Sequence, residues 1–300
     1  MARAYSSGHR LMRLFLAAIV AVFGFAAAGE AAQLSPGCGR AAALPPTRYE
    51  VDGRERHAIV AVPASYNPST AHALIVAFHG RTSSNAKVQS YFGLEAAGSQ
   101  PAIYVYPAGL TDRSGVFAWY DRGDSPAKLR DFAFFDAILA RMGESYCLDL
   151  DAVFVVGHSL GASFANSLAC ARADRIRGLA SVAGGIYPSR CGSEVAVLLL
   201  HNPADKAVPI SEGLRAREVL LGDPLELHEM AESRLGVFDC EEYRAGADPL
   251  LWCPYHESKT RRGSYYPHLW PRGANQVIMA FFARLEDRPL TPLVSRPPQS

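Results

Sequence analysis

The stretch Gly157-His158-Ser159-Leu160-Gly161 sets a serine between two glycines in the pattern G-x-S-x-G. An apolar run, Ala152–Val156, precedes it, and a segment rich in Ala, Leu and Ser, Leu160–Ala171, follows. A strand, a sharp turn and a helix in that order lift a serine hydroxyl to the end of a sheet. The turn leaves no space for bulk beside the serine, and glycine supplies that. The new helix aims its N-terminus at the same spot and favours negative charge that develops there. These residue types suit covalent acyl transfer, with Ser159 as nucleophile.

A serine at neutral pH needs a base, and the base needs a carboxylate to orient it. One known arrangement runs Ser, acid, His along the chain. Asp205 fits the acid, because it stands four residues beyond the apolar run Val195–His201, at the same sheet edge as Ser159. Asp223 and Asp248 are weaker alternatives, since neither follows a buried strand so closely. Three histidines follow Asp205: His228, His256 and His268. His268 lies in Tyr265-Tyr266-Pro267-His268-Leu269-Trp270-Pro271, between the last strand and the last helix, and is the expected base. The backbone amides of Leu160 and of Arg81, in His79-Gly80-Arg81-Thr82-Ser83, are the expected oxyanion donors. His79 reads as a residue that holds this loop through its ring nitrogens. Trp270 and Trp119 are candidate substrate contacts, an aromatic platform for a phenolic ring or a sugar face, whereas Trp252 reads as core.

The elements that must position these groups alternate. Strand candidates are Ala58–Val62, Ala73–Phe78, Ala102–Tyr106, Ala152–Val156, Gly178–Ala183, Val195–His201 and Leu250–Tyr255. Several are unbroken apolar runs, as in a parallel sheet covered on both faces. Phe135, Ile138, Leu139 and Met142 repeat at helical spacing, as do Ile278, Phe281, Phe282 and Leu285. Together they give an open α/β sheet. The insert Glu257–Ser264, with Lys259, Arg261 and Arg262, reads as a solvated charged loop, with an anionic or sugar-rich substrate as the alternative.

Composition narrows the rest. The chain has 300 residues, 30 Lys+Arg against 29 Asp+Glu, a formal net charge of +1 and 49% hydrophobic residues. The apolar fraction excludes global disorder, and the neutral balance excludes a dedicated nucleic-acid binder. Arg3, Arg10 and Arg13 precede the apolar run Leu14–Ala28, which is followed by small residues. That is the layout of a secretory signal peptide, here residues 1–31, and the run is short for a membrane span. The mature form is therefore expected in the periplasm or the medium, with no membrane contact. A single α/β catalytic domain at 32–287 and a Pro-rich tail at 288–300 complete the expected organisation. In an oxidising compartment six Cys suggest three disulfides, with fifteen possible pairings. Sequence proximity favours Cys170–Cys191 and Cys240–Cys253, which leaves Cys38–Cys147. No C-x-x-C pair occurs, so no metal is expected.

Five motifs occur in a set order: Phe78-His79-Gly80-Arg81-Thr82, Tyr104-Val105-Tyr106-Pro107, Asp131-Phe132-Ala133-Phe134-Phe135, the serine turn, and His268-Leu269-Trp270-Pro271. Over roughly Cys38 to Leu285 the chain resembles the secreted esterases that include feruloyl esterases and polyhydroxybutyrate-depolymerase-like enzymes. The resemblance implies an α/β-hydrolase fold, a mostly parallel central sheet with helices on both faces. It implies Ser159, Asp205 and His268 as the triad, no cofactor, and an ester substrate that is a small molecule or is carried on a polymer. Feruloyl or related aryl esters of plant polysaccharide come first and hydroxybutyrate polyester second. An acyl transferase and a non-catalytic carbohydrate-binding protein on the same scaffold are the remaining readings. It also supports the first two disulfide pairings. Two departures stand out: Asn202 replaces a usual Gly after His201, and Pro267 replaces a usual Gly before the base.

Overall fold

Apolar runs build the centre of the sheet because both of its faces are covered. The computed structural model describes Met1 and residues 32–286, except for 99–100, 112–116, 121–123, 126–127, 192–194, 223–228 and 246–247. The chain divides into two units, 1–30 and 31–300, and the fold is that of the second. The expected signal peptide, Met1 apart, and the expected tail lie outside the described residues, as do Asp223 and His228.

The first half contains β1 (Arg48–Val51), β2 (Arg54–Ala61), β3 (His72–Phe78), α1 (Asn85–Phe92), α2 (Leu94–Ala97) and β4 (Ala102–Pro107). It continues with β5 (Leu110–Thr111), β6 (Phe117–Ala118), α3 (Asp131–Ser145) and β7 (Leu148–His158). The second half contains α4 (Leu160–Ala171), β8 (Gly178–Val182), β9 (Ala196–His201) and α5 (Ile210–Leu221). It ends with β10 (Glu229–Leu235), β11 (Phe238–Ala245), β12 (Asp248–Pro254) and α6 (Ala274–Glu286). All seven strand candidates are strands. β1, β5, β6, β10 and β11, and helices α1, α2 and α5, add to what was expected.

Ten strands form one sheet in the order β1-β2-β4-β3-β7-β8-β9-β12-β11-β10. The six central strands, β4 to β12, run parallel, and antiparallel pairs close both edges. Every residue of β3, β4, β8 and β9 is buried. One face packs on α1, α2 and α6 through Val88, Phe92, Leu94, Phe281 and Phe282. The other packs on α3 and α4 through Phe132, Phe135, Phe164 and Leu168, with Ile210 and Leu214 of α5 partly buried against it. Each fully enclosed side chain of this size contributes about 1.5–3 kcal/mol. Helix α1 starts at Ser84, whose side chain accepts the Lys87 N–H at 3.3 Å, and ends at Gly93 with φ 60°.

Three disulfides are formed: Cys38–Cys147, Cys170–Cys191 and Cys240–Cys253. The first ties the N-terminal segment to the start of β7. The second joins the end of α4 to the loop after β8, and the third links β11 to β12. Among the described residues no helix is long and apolar enough to cross a membrane.

Candidate active site

The carboxyl end of β7 lies between β3 and β8, at the middle of the sheet. Ser159 follows it with φ 58° and ψ −124°, a conformation that costs a non-glycine residue roughly 1–3 kcal/mol. Two hydrogen bonds hold it there: Ser159 N–H to the Val182 carbonyl at 2.9 Å, and Ser163 N–H to the Ser159 carbonyl at 3.0 Å. The flanking glycines are needed for close approach. A Cβ on Gly157 would run into the backbone of Gly161 and Ala162, and one on Gly161 into the carbonyls of Phe78 and His79. The turn, the helix start and the loop after β3 are therefore packed backbone to backbone.

His268 and Asp205 meet Ser159 although 63 and 109 residues separate the partners in the chain. His268 Nε2 is 2.7 Å from Ser159 Oγ, and His268 Nδ1 is 2.6 Å from Asp205 Oδ2. Asp205 Oδ1 accepts the N–H groups of Ala207 and Val208 at 2.8 and 3.0 Å. Burial raises the carboxyl pKa, but the hydrogen bonds from His268, Val208 and Ala207 outweigh it, and the net shift is downward. Asp205 therefore stays ionised beside the ring. The other candidates are elsewhere: Asp248 accepts a bond from Arg177 at 2.7 Å, and His256 is exposed.

The loop after β3 is locked by His79, which is fully buried. Gly109 N–H donates to His79 Nε2 at 3.0 Å, so the proton sits on Nδ1, which donates to the Gly80 carbonyl at 2.8 Å. Ser83 N–H donates to the same carbonyl at 3.1 Å. Burial lowers the His79 pKa to about 4, partly offset by its bond to Gly80, and keeps the ring neutral. The peptide is planar and trans, so the Arg81 N–H points opposite to that anchored carbonyl. Gly80 itself lies over Ser159, and a Cβ there would stand 3.2 Å from Ser159 Cβ.

Trp119 corrects an expectation. It is wholly buried, stacked on Phe164 with ring centroids 5.4 Å apart and edge-on to Phe78 at 5.2 Å. Its Nε1 donates to the His79 carbonyl at 2.7 Å. Its indole has no face for substrate and instead braces the loop. Trp270 is partly exposed and stacks on Phe92 at 3.9 Å.

Two contributions had not been foreseen. His158, inside the serine motif, stacks on His268 at 5.1 Å, and its Nδ1 is 3.0 Å from the Tyr91 hydroxyl. Burial and the neighbouring His268 push its pKa down to about 3, so it supports the second ring without competing for its proton. Asn202 is buried and donates to the Glu257 carbonyl at 2.8 Å and to Ser258 Oγ at 3.3 Å, joining the Asp205 loop to the segment that leads to His268. In sequence, position 202 reads only as a mild departure that the backbone tolerates, and nothing local reveals these bonds. No group of His, Cys, Asp and Glu able to hold a metal ion occurs among the described residues.

No family model matches the chain. In sequence it is 31% identical over 188 residues to feruloyl esterase C of Emericella nidulans, across 60% of this chain and 65% of that relative. It is 29% identical over 235 residues to feruloyl esterase D of Neurospora crassa, across 73% of this chain and 75% of the relative. In sequence, then, the chain is similar to feruloyl esterases. It spans just under two thirds, 65%, of the length of the first of these relatives. Among solved structures it is similar to the acetyl xylan esterase from Aspergillus awamori, with a TM-score of 0.56 at 14% identity, over 76% of this chain and 94% of that one. It is likewise similar to the Bacillus cereus carboxylesterase, with a TM-score of 0.55 at 11% identity, over 77% and 94%. The fold of this chain is the α/β-hydrolase fold.

Proposed function

We propose that this chain is an exported serine esterase that cleaves feruloyl or related aryl esters of plant polysaccharide through an acyl-enzyme. The observation that carries the reading is the His268 ring set between Ser159 Oγ at 2.7 Å and Asp205 Oδ2 at 2.6 Å. Ser159 Oγ bonds to the ester carbonyl carbon as its proton passes to His268 Nε2. The carbonyl electron pair becomes an oxyanion, which the N–H groups of Leu160 and Arg81 receive. Collapse breaks the bond to the alcohol, which leaves with the proton from His268. Water then repeats the sequence on the acyl-enzyme, with His268 as base, and releases the acid. Asp205 fixes the ring tautomer and stabilises its charged form throughout.

The feruloyl esterase relatives support the substrate class, and the partly exposed Trp270, two residues from His268, offers an aromatic face there. Three formed disulfides support an oxidising destination. Ser159→Ala is expected to lower p-nitrophenyl acetate turnover by about 10⁴-fold or more with an unchanged melting temperature. Retained turnover rejects the nucleophile. Within a panel of methyl ferulate, acetylated xylan and hydroxybutyrate oligomers, methyl ferulate is expected to be the best substrate. Activity on the polyester alone rejects the substrate class.

A further inference from the structure

Between β12 and the catalytic histidine lies a segment for which the reaction has no use. Residues 258–266 fold back as a short hairpin. Lys259 and Tyr265 form an antiparallel bridge. Tyr266 N–H donates to the Ser258 carbonyl at 2.8 Å, Thr260 N–H to Ser264 at 2.9 Å, and Gly263 N–H to Thr260 at 2.8 Å. Gly263, with φ 84°, makes the turn after Arg261 and Arg262. The foot is anchored twice. Asn202 holds Glu257 and Ser258, and Arg272 binds Glu257 through its backbone N–H at 2.7 Å and its Nε at 2.8 Å. The charged insert is thus a pre-ordered element.

What it presents is unusual in combination. Lys259, Arg261 and Arg262 are all exposed, and none enters an ion pair among the described residues. Glu257, the nearest carboxylate in sequence, is already engaged by Arg272. Tyr265 and Tyr266 are 66% and 48% exposed. Tyr265 is the cross-strand partner of Lys259, so the two share a side. Tyr266 alternates to the opposite side, where its ring meets His268 edge-on at 5.9 Å. Cations, aromatic faces and His268 therefore lie along one continuous element.

We propose that this hairpin is a binding site for a polysaccharide that bears carboxylates, as uronic-acid sugars do, and that it holds the chain next to the scissile ester. The guanidinium and ammonium groups pair with the carboxylates, and the tyrosine rings take the apolar faces of the sugars. Single exposed ion pairs are weak in water, so the site gains from several charges meeting one polymer and weakens with salt. A lipid surface fits less well, because the hairpin carries no aliphatic side chain to insert among acyl chains. The proposal deepens the esterase reading by naming the carrier of the ester, yet binding itself needs no Ser159.

Titration calorimetry with polygalacturonate, which carries no ester, tests the site on the whole protein. Wild type is expected to bind at low salt, at least about tenfold more weakly in 0.5 M NaCl. The triple variant Lys259→Gln/Arg261→Gln/Arg262→Gln is expected to bind at least about fivefold more weakly, with p-nitrophenyl acetate kcat/KM within about twofold of wild type. No binding by wild type, or equal binding by the variant, overturns the proposal. So does equal affinity for neutral arabinoxylan, for polyglutamate, or for phosphatidylglycerol vesicles. Loss of p-nitrophenyl acetate turnover in wild type would count against the esterase reading alone, since polygalacturonate binding is read without hydrolysis.

Discussion

Asp205→Asn isolates the tautomer of His268 from everything else the loop does. In the wild type Asp205 Oδ1 accepts two backbone N–H groups, at 2.8 and 3.0 Å, and Oδ2 faces His268 Nδ1 at 2.6 Å. An asparagine amide has one oxygen and one NH₂ group. The Ala207 and Val208 donors demand the oxygen, so the NH₂ is forced toward His268. It then donates to Nδ1, and the ring proton moves to Nε2, the nitrogen 2.7 Å from Ser159 Oγ. A ring that donates to the serine cannot take its proton. A misplaced tautomer of this kind has cost about 10⁴ in kcat in a serine protease, which is about 5.4 kcal/mol at 1.36 kcal/mol per decade. Both loop hydrogen bonds survive, so the melting temperature is expected to hold within a few degrees. The assay is kcat and kcat/KM on p-nitrophenyl acetate and methyl ferulate beside a thermal melt. A fall of less than tenfold with an intact fold would refute the tautomer argument.

Two further expectations concern stability. His79 and His158 have pKa values lowered from 6.5 to about 4 and about 3, so the unfolded chain takes up their protons first as pH falls. Their contribution is fully present above pH 6.5, declines as pH falls, and is spent once pH passes the folded values. By pH 5 the loss is on the order of 2 kcal/mol per histidine. Chemical denaturation at pH 7 and pH 5 checks this, and equal stability at both rejects the buried neutral pair. Among the disulfides, Cys38–Cys147 closes the longest span, 109 residues, against 21 and 13. Chain entropy assigns it about 4.8 kcal/mol and the others about 3 each. Cys38→Ser/Cys147→Ser is thus expected to lower the melting temperature more than Cys240→Ser/Cys253→Ser does, and the reverse order rejects the entropic account.

The parts of the fold that were legible in sequence are those whose burial leaves a local mark. The strands His72–Phe78 and Ala196–His201 are enclosed throughout, and the runs Ala73–Phe78 and Val195–His201 announce them in the sequence. The hairpin β10–β11 did not read as strand, because edge strands keep charge on their outer faces: Glu232 and Arg234 on one, Asp239 and Arg244 on the other are exposed. Helix α5 buries only Gly213 and Ala216, too thin a stripe to register. The candidate site was legible where chain order and strand ends constrain it: Ser159, Asp205 and His268 were singled out and do meet. It was not legible where one partner is a backbone atom far away. Trp119 looked like a platform because nothing local reveals that its Nε1 ends on the His79 carbonyl, 40 residues upstream. Asn202 looked like a tolerated substitution for the same reason, as its partners stand 55 and 56 residues on.

The depth at which the indoles sit has an optical consequence. Of the three tryptophans, Trp119 and Trp252 are 0% and 4% exposed, while Trp270 alone is partly open and lies against His158, ring to ring at 6.1 Å. An aqueous quencher such as iodide reaches one indole in this protein, and that indole stands at the threshold of the proposed reaction. The ultraviolet emission is therefore divided into a silent background and a reporter that needs no label, and an aromatic guest that settles beside His268 dims the reporter and leaves the background unchanged.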